Sequence, residues 1–495
     1  MQETHWDKES LYRLVKSKLA DSLFVVASNR EPYVHTMYGG EIECTRPVGG
    51  LTEALDPVMR ASGGTWVAQG AGDADRKVVD KHDRIAVPPE KPEYTLRRIW
   101  LTEEEVAGFY LGFANGVLWP LCHVAFMRPD FREDWWETYK KVNRTFADAI
   151  LQEIGDRKAT VLVQDYHLAL VSAYLKEKNP ELTAGQFWHI PWPPYEIFRT
   201  CPWQEEILAG MLGNDLIGFH TRSFCDNFME SVERGLEART DRARSAVIRR
   251  DNSTFVEPFP ISVDFDEISE QASTEAVEQE MASLTRELGL EDKVLGIGVD
   301  RMDYTKGIPE RLMALDRLLE ESPQYRGKVV FVQAGMPSRT QIDTYQQTGK
   351  RTDDLISRIN DKYGTDNWRP VVPMTQQLSP TTLNALRRLA RFCIVSSLHD
   401  GMNLVAKEYV AARADGDGVL ILSRFTGAAV EMQESLLINP FDTHDFTEKI
   451  KQALEMPEAE RRRRMKDLRG TVKKNNIYRW GGSIVSRLIS IAGGR

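Results

Sequence analysis

Cysteine is scarce and scattered. The five residues Cys44, Cys122, Cys201, Cys225 and Cys393 form no CxxC pair and no histidine-rich spacing, which excludes a disulfide scaffold and a thiolate metal site. They read as reduced thiols of a cytoplasmic protein. No uninterrupted apolar run reaches ~18 residues, so no membrane-spanning helix is expected. The first residues, with Glu3, Asp7, Lys8 and Glu9 interspersed, lack the apolar core of an export signal. Positive charge is in deficit, at a formal net −9, and nothing in that balance favours nucleic acid or an anionic membrane. The arginine run at 461–464 follows Glu458 and Glu460 in a helical stretch and reads as a solvated face. No repeat period points to a solenoid or propeller. A DxDxT-type phosphatase signature is also missing.

What is present is a chain of 495 residues, long enough for two or three units, with the 42% apolar content of a globular protein. Strand-like apolar runs at 23–27, 161–163, 186–190 and 216–219 alternate with helical stretches, and a second series follows at 294–299, 329–334, 392–396 and 419–422. Such alternation predicts βαβ units on parallel sheets, hence an α/β fold of two doubly wound, Rossmann-like domains facing each other across a deep cleft. Between the two series, Pro258 and Pro260 enforce extended backbone and mark the hinge. The expected division is an N-terminal domain over 1–258, a C-terminal domain over 259–478, and a helix at 479–495 packing back on the first domain.

The most informative stretch is Asp400-Gly401-Met402-Asn403-Leu404-Val405-Ala406-Lys407-Glu408. It follows a short apolar strand and enters a helix read over 404–414, which places Asp400 in the connecting loop. Ligands of open α/β sheets bind outside the carboxyl ends of the strands, and the carboxylate is expected to face that crevice. Glu408 lies about 10 Å further along, at ~1.5 Å rise per residue, so the two acids can hold separate parts of one long ligand such as a sugar nucleotide. Upstream, Asp300-Arg301-Met302-Asp303-Tyr304-Thr305-Lys306-Gly307 ends a strand before a helix beginning near Pro309. Two cations beside a helix N-terminus make a diphosphate clamp, the plain alternative being a surface Arg and Lys on a turn. Gly296-x-Gly298 lies within the strand, lacks the third glycine of a dinucleotide loop, and is set aside.

In the first half, Ser28-Asn29-Arg30 puts a cation at the end of the first strand, and Arg46-Pro47-Val48-Gly49-Gly50-Leu51 reads as a glycine loop opening a helix. Its backbone N–H groups can approach an anion closely, although an ordinary tight turn explains it equally. Asp165 and His189 each follow a strand and are expected in the cleft. A lone histidine is more often structural than catalytic. Trp188, Trp192, Tyr110 and Trp119 offer flat faces for a sugar ring, with a core role for the tryptophans left open. Arg339 follows another strand; facing Arg30 it would form a fork for a phosphate monoester, a pairing that spacing does not establish.

Taken together, Ser28-Asn29-Arg30, Leu118-Trp119-Pro120, Asp165-Tyr166-His167, His189-Ile190-Pro191, Arg301-x-Asp303-Tyr304-x-Lys306-Gly307 and the stretch from Asp400 to Tyr409 resemble, in order, the trehalose-6-phosphate synthase family of retaining glycosyltransferases, over about 23–488. The resemblance implies a GT-B fold, a nucleotide-sugar donor, usually UDP-glucose, held mainly by the second domain, and glucose-6-phosphate held mainly by the first. It implies that Arg301 and Lys306 bind the donor diphosphate, Glu408 the ribose, Asp400 and His189 the donor glucose, with Asn403, Leu404 and the Gly50 backbone also on the donor. Arg30, Tyr110 and Arg339 would hold the acceptor phosphate, and Trp119 and Asp165 its sugar; His189, Asp400, Arg301 and Lys306 would form the catalytic group. The implied chemistry is front-face transfer with retained configuration, without a covalent intermediate, metal or cofactor. A separate phosphatase would act on the product, and homo-oligomerisation is left open. Two departures stand out: His399 where the family often has arginine, and a charged segment of about twenty residues before the first strand, a candidate for assembly or regulation. The alternatives are a glucosylglycerol-phosphate synthase using glycerol-3-phosphate, a catalytically idle sugar-phosphate sensor, and a phosphorylase-like enzyme with pyridoxal phosphate.

Overall fold

The apolar runs pair into two largely parallel sheets. In the computed structural model, which describes residues 6–494 apart from 20, 21, 48, 49, 251 and 337, these sheets belong to two units. The first comprises residues up to Ile261 together with those from Ile477 onward; the second runs from Ser262 to Asn476.

The strands of the first unit are β1 (Leu23–Arg30), β2 (Val34–Tyr38), β3 (Glu41–Thr45), β4 (Thr65–Gln69), β5 (Arg84–Val87), β6 (Tyr94–Ile99), β7 (Ala159–Gln164), β8 (Thr183–Phe187), β9 (Leu216–Phe219), β10 (Arg239–Asp241), β11 (Ala246–Arg249) and β12 (Asn252–Pro258). Their order is β10-β11-β12-β9-β8-β7-β1-β4-β6-β5, parallel from β12 to β6 and antiparallel at both edges, with β2–β3 a separate hairpin. Every residue of β7, β8 and β9 is buried, as expected of parallel strands covered on both faces, and this is why β7 and β9 read as largely apolar runs without alternation. The chain builds outward from β1 in one direction through β4 and β6, and in the other through β7, β8 and β9. The order therefore switches between β1 and β7, where Val25 pairs with Thr65 on one side and Val161 on the other. The connection from β6 to β7 contains a π-helix, Val106–Leu118, and the helix Glu133–Ile154. The last helix, Ile477–Gly493, packs on the helices Lys8–Lys18 and Gly50–Ser62 and on β8.

The strands of the second unit are β13 (Val294–Arg301), β14 (Val329–Met336), β15 (Val371–Met374), β16 (Phe392–Val395), β17 (Val419–Ser423) and β18 (Leu436–Ile438). They are all parallel, in the order β15-β14-β13-β16-β17-β18, which is the doubly wound arrangement with its switch between β13 and β16. Gly296 and Gly298 are packing positions in β13. A Cβ on Gly298 would lie 1.9 Å from Arg311 Nη1, and one on Gly296 would lie 2.3 Å from the Phe392 ring.

Several boundaries moved from their sequence positions. β8 begins at Thr183 and ends at Phe187, so His189 lies just past a strand that ends earlier than its apolar tail suggested. The helix after Asn403 closes at Ala412, because Arg413 caps it with its N–H bonded to the Val410 carbonyl. The first part of the expected hinge is strand: β12 pairs with β9 as far as Pro258 opposite Phe219. Trp188 and Trp192 are fully buried, ring against ring at 4.9 Å, so neither offers a face to a sugar. The arginine run is laced to acids, Arg461 to Asp417, Arg462 to Glu458, and Arg463 and Arg464 to Glu460 and Glu434. Among the described residues no helix is long and apolar enough to cross a membrane.

Candidate functional site

At the switch point of the second unit, β13 and β16 release their chains side by side. Asp303, fully buried, accepts from the N–H and hydroxyl of Thr305, both at 2.9 Å, and winds the short turn Tyr304–Lys306. Gly307 then takes φ +62°, and a Cβ there would stand 2.2 Å from the Ser396 carbonyl oxygen. A side chain is therefore excluded both by conformation and by space. Ser396 returns the contact, its hydroxyl donating to the carbonyls of Lys306 and Gly307 at 3.0 and 2.9 Å. The outcome is that Lys306 Nζ reaches Asp400 Oδ2 at 2.5 Å, with both side chains nearly withdrawn from solvent. Ser397 Oγ and Asn403 Nδ2 donate to the same carboxylate oxygen at 3.1 and 3.2 Å. Asn403 itself has φ +78° and caps the helix Leu404–Ala412 by accepting from the Ala406 N–H, which leaves the N–H groups of Leu404 and Val405 outside that cap.

Behind this layer, fully buried Arg311 donates to Asp300 Oδ2 at 2.7 Å, Gln333 Oε1 at 2.9 Å and Ser396 Oγ at 3.1 Å, fixing the backs of β13, β14 and β16. Burial raises the Asp300 carboxyl above its usual range; Arg311 and Lys306 pull it back, and Asp400 opposes them. Arg301, the last residue of β13, is exposed and makes no ion pair or side-chain hydrogen bond among the described residues. Glu408, on the helix Leu404–Ala412, has its Oε2 taken by Arg387, a residue of the helix Pro380–Leu389 to which no sequence motif points. Lys407 faces inward and pairs with Glu431 at 2.6 Å. Arg339 has φ +46° and lies against Asp303 and the Tyr345 hydroxyl, at 3.5 and 2.5 Å.

The first unit repeats the pattern at the switch between β1 and β7. Arg30, ending β1 after a bulge at Ser28/Arg30, is exposed and its guanidinium is without an ion pair among the described residues. Asp165, immediately after β7, holds φ +72° and accepts from the N–H groups of Tyr166 and His189 at 2.9 and 3.2 Å. His189 Nε2 lies 2.9 Å from Gln164 Oε1; with that oxygen as acceptor, Nε2 carries the proton and Nδ1 is left as an acceptor. Burial, with His220 and His167 nearby, holds the His189 ring well below the usual histidine range and therefore neutral at pH 7. Tyr110 stands on the π-helix and stacks on His167 at 5.6 Å, while Trp119, almost wholly buried, packs on His123 and Tyr166. A π segment commonly marks a functional position, and only the glycine spacing of 108–116 hints at it in sequence. Gly50 opens the helix Gly50–Ser62, while Val48 and Gly49 of its loop lie outside the described residues.

Two doubly wound units, each with charged residues gathered at its strand switch, define the GT-B class of glycosyltransferase fold. Within it the chain belongs to glycosyltransferase family 20, whose profile matches residues 22–490. A trehalose-6-phosphate synthase from Mycobacterium avium is 40% identical over 477 residues, covering 94% of this chain and 95% of that one. A trehalose-6-phosphate synthase from Mycolicibacterium smegmatis is 38% identical, covering 94% and 92%. Among solved structures, an E. coli trehalose-6-phosphate structure bound with UDP-2-fluoro glucose superposes with a TM-score of 0.85 at 31% identity, covering 94% of this chain and 99% of that one. A UDP-forming α,α-trehalose-phosphate synthase from Burkholderia xenovorans, in complex with glucose-6-phosphate, gives 0.84 at 29%, covering 94% and 100%.

Proposed function

We propose that this glycosyltransferase moves glucose from UDP-glucose to glucose-6-phosphate with retained anomeric configuration, forming trehalose-6-phosphate. The observation that carries the reading is the Lys306–Asp400 contact at the β13/β16 switch, flanked by Arg301, a cation that makes no ion pair among the described residues. In its 2.5 Å pair Lys306 is a positioned ammonium, ready to trade part of its bond for a diphosphate oxygen, and Arg301 supplies the second charge. Together they neutralise the charge that grows on the departing UDP, the effect that most lowers such a barrier. The N–H groups of Leu404 and Val405 at a helix N-terminus favour the same anion. Glu408 keeps Oε1 for the ribose hydroxyls while Arg387 holds Oε2.

Asp400, fixed by three donors, takes a hydroxyl of the donor glucose, and neutral His189 offers Nδ1 to another. The Gly50 backbone approaches the reacting centre. On the acceptor, Arg30, Tyr110 and Arg339 hold the phosphate while Trp119 and Asp165 hold the sugar. The acceptor hydroxyl attacks the face from which the diphosphate leaves and passes its proton to a phosphate oxygen, so no protein nucleophile is used. Positioning of this kind contributes up to ~7–11 kcal/mol. The M. avium and M. smegmatis synthases and the two ligand-bound structures support donor and acceptor alike. Dephosphorylation of the product falls to a separate phosphatase. The deciding experiment incubates the chain with a panel of nucleotide sugars and either glucose-6-phosphate or glycerol-3-phosphate, and identifies the product by mass and anomeric coupling. An α,α-linked disaccharide phosphate is expected. A product from glycerol-3-phosphate alone makes the chain a glucosylglycerol-phosphate synthase, and no product with any donor makes it a sensor.

A further inference from the structure

The segment ahead of β1 lies outside the matched family region, which begins at residue 22, yet it is built into the first unit. Its helix Lys8–Lys18 starts from Asp7, which accepts from the Ser10 N–H at 2.7 Å in a capping box, and buries Leu11 and Val15. Between this helix, the C-terminal end of Gly50–Ser62 and the turn before β7 lies a cavity of about 730 Å³. Its lining includes Tyr12, Lys16, Arg60, Ser62, Arg157 and Lys158, and no carboxylate among the described residues.

The four cations are not equivalent. Arg60 is neutralised by Asp56 at 2.6 Å and Glu93 at 3.2 Å. Arg157 donates to the carbonyls of Glu153 and Ile154, and among the described residues none of Arg157, Lys16 and Lys158 makes an ion pair. Lys16 lies over the Tyr12 ring at 5.5 Å. Three positive charges with no ion-pair partner among the described residues, around one concavity in a chain of net charge −9, are the chemistry of an anion site. The volume falls in the ligand range of ~300–1,000 Å³. The position is also distinct: the cavity adjoins Leu23, the first residue of β1, whereas Arg30 is the last, about 23 Å away at ~3.3 Å per residue.

We propose that this cavity binds a small phosphorylated anion, at the end of β1 opposite the one that carries Arg30. The test titrates the full chain with inorganic pyrophosphate by calorimetry, with UDP and glucose-6-phosphate at saturation. A binding event that survives saturation is expected, weakened about tenfold or more in K16A/K158A, retained in K16R/K158R, and weakened by added salt. Turnover of K16A/K158A stays within about twofold of the parent, as surface changes away from a site usually do. The absence of any such event, or equal affinity in K16A/K158A, overturns the proposal. A lower melting temperature in K16A/K158A with unchanged pyrophosphate affinity also overturns it, assigning the lysines to the neighbouring helix C-termini. The titration reads binding alone, so failure of the glucosyltransferase reading shows separately, as a missing disaccharide phosphate.

Discussion

The two strand switches differ in how finished they are. At β13/β16 the side chains are already engaged, with Asp400 holding Lys306, Ser397 and Asn403, and Arg311 bracing the strands from behind. At β1/β7 the polar groups come from segments far apart in sequence, among them Arg30, Tyr110 on its π-helix, Asp165 and His189, and Arg30 stands without an acid partner among the described residues. The lesson is that one switch is preorganised for charge, which suits a leaving diphosphate, and the other is an aromatic and polar frame, which suits a sugar.

Breaking the charged switch should have the largest effect. Lys306→Ala or Arg301→Ala is expected to lower kcat by ~10²–10³ or more, with the circular dichroism spectrum unchanged, since removing one preorganised donor from a developing oxyanion costs about that. Near-normal turnover in both variants would remove the clamp. On the other switch, Arg30→Ala should raise KM for glucose-6-phosphate by ~10–100-fold while kcat changes less, a charge-assisted hydrogen bond being worth ~1.5–3 kcal/mol. Equal falls in kcat and kcat/KM would instead place Arg30 in transition-state binding.

Gly307→Ala probes the turn that presents Lys306. With φ +62° and a carbonyl oxygen 2.2 Å from the new Cβ, it should cost ~1–3 kcal/mol, read as a lower urea midpoint together with reduced turnover.

The smallest effect concerns a buried cluster next to Arg30. Arg98 Nε donates to Glu31 at 2.7 Å, and Arg98 Nη2 lies 2.7 Å from Asp75 and 2.8 Å from His35 Nδ1. Burial, then the neighbouring Asp75, pushes the Glu31 carboxyl up to about 8. Asp75, against its own burial, is drawn below the usual range by its hydrogen bond with Glu31 and the N–H groups of His35 and Gly72. A raised carboxyl keeps its proton in the folded chain where the unfolded chain has lost it, so this contribution to stability is complete at low pH and falls between about 4.5 and 8. Glu31→Gln should flatten that part of the stability profile, measured by urea melts across the window. His189 acts in the opposite sense. Its lowered value means that stability falls as pH drops below 6.5, and His189→Gln should blunt that fall.

Legibility in the sequence followed contiguity. Asp400, Asn403 and Glu408 share one motif, and Arg301 and Lys306 another, because a strand end, a cap and a helix are local structures with local residue preferences. Their partners were not legible. Arg387 reaches Glu408 from a different helix, Arg311 ties three strands together, and Gln164 orients His189 across neighbouring strands. Trp188 and Trp192 stayed undecided between ligand and core for the same reason, since an aromatic after a strand looks alike in either place, and burial settles them as core.

The sequence by itself determined two series of βαβ units, which polar residues end their strands, and the family. Hydrophobic periodicity and the chemistry of turns act over a few residues, and that range suffices for those features. Only the tertiary structure decided that β13 lies beside β16, so that Lys306 and Asp400 meet, that a π-helix presents Tyr110, and that the leading helix closes a basic cavity. Each depends on which distant surfaces pack together, a choice made by the burial of whole faces and not by any one segment's own preference.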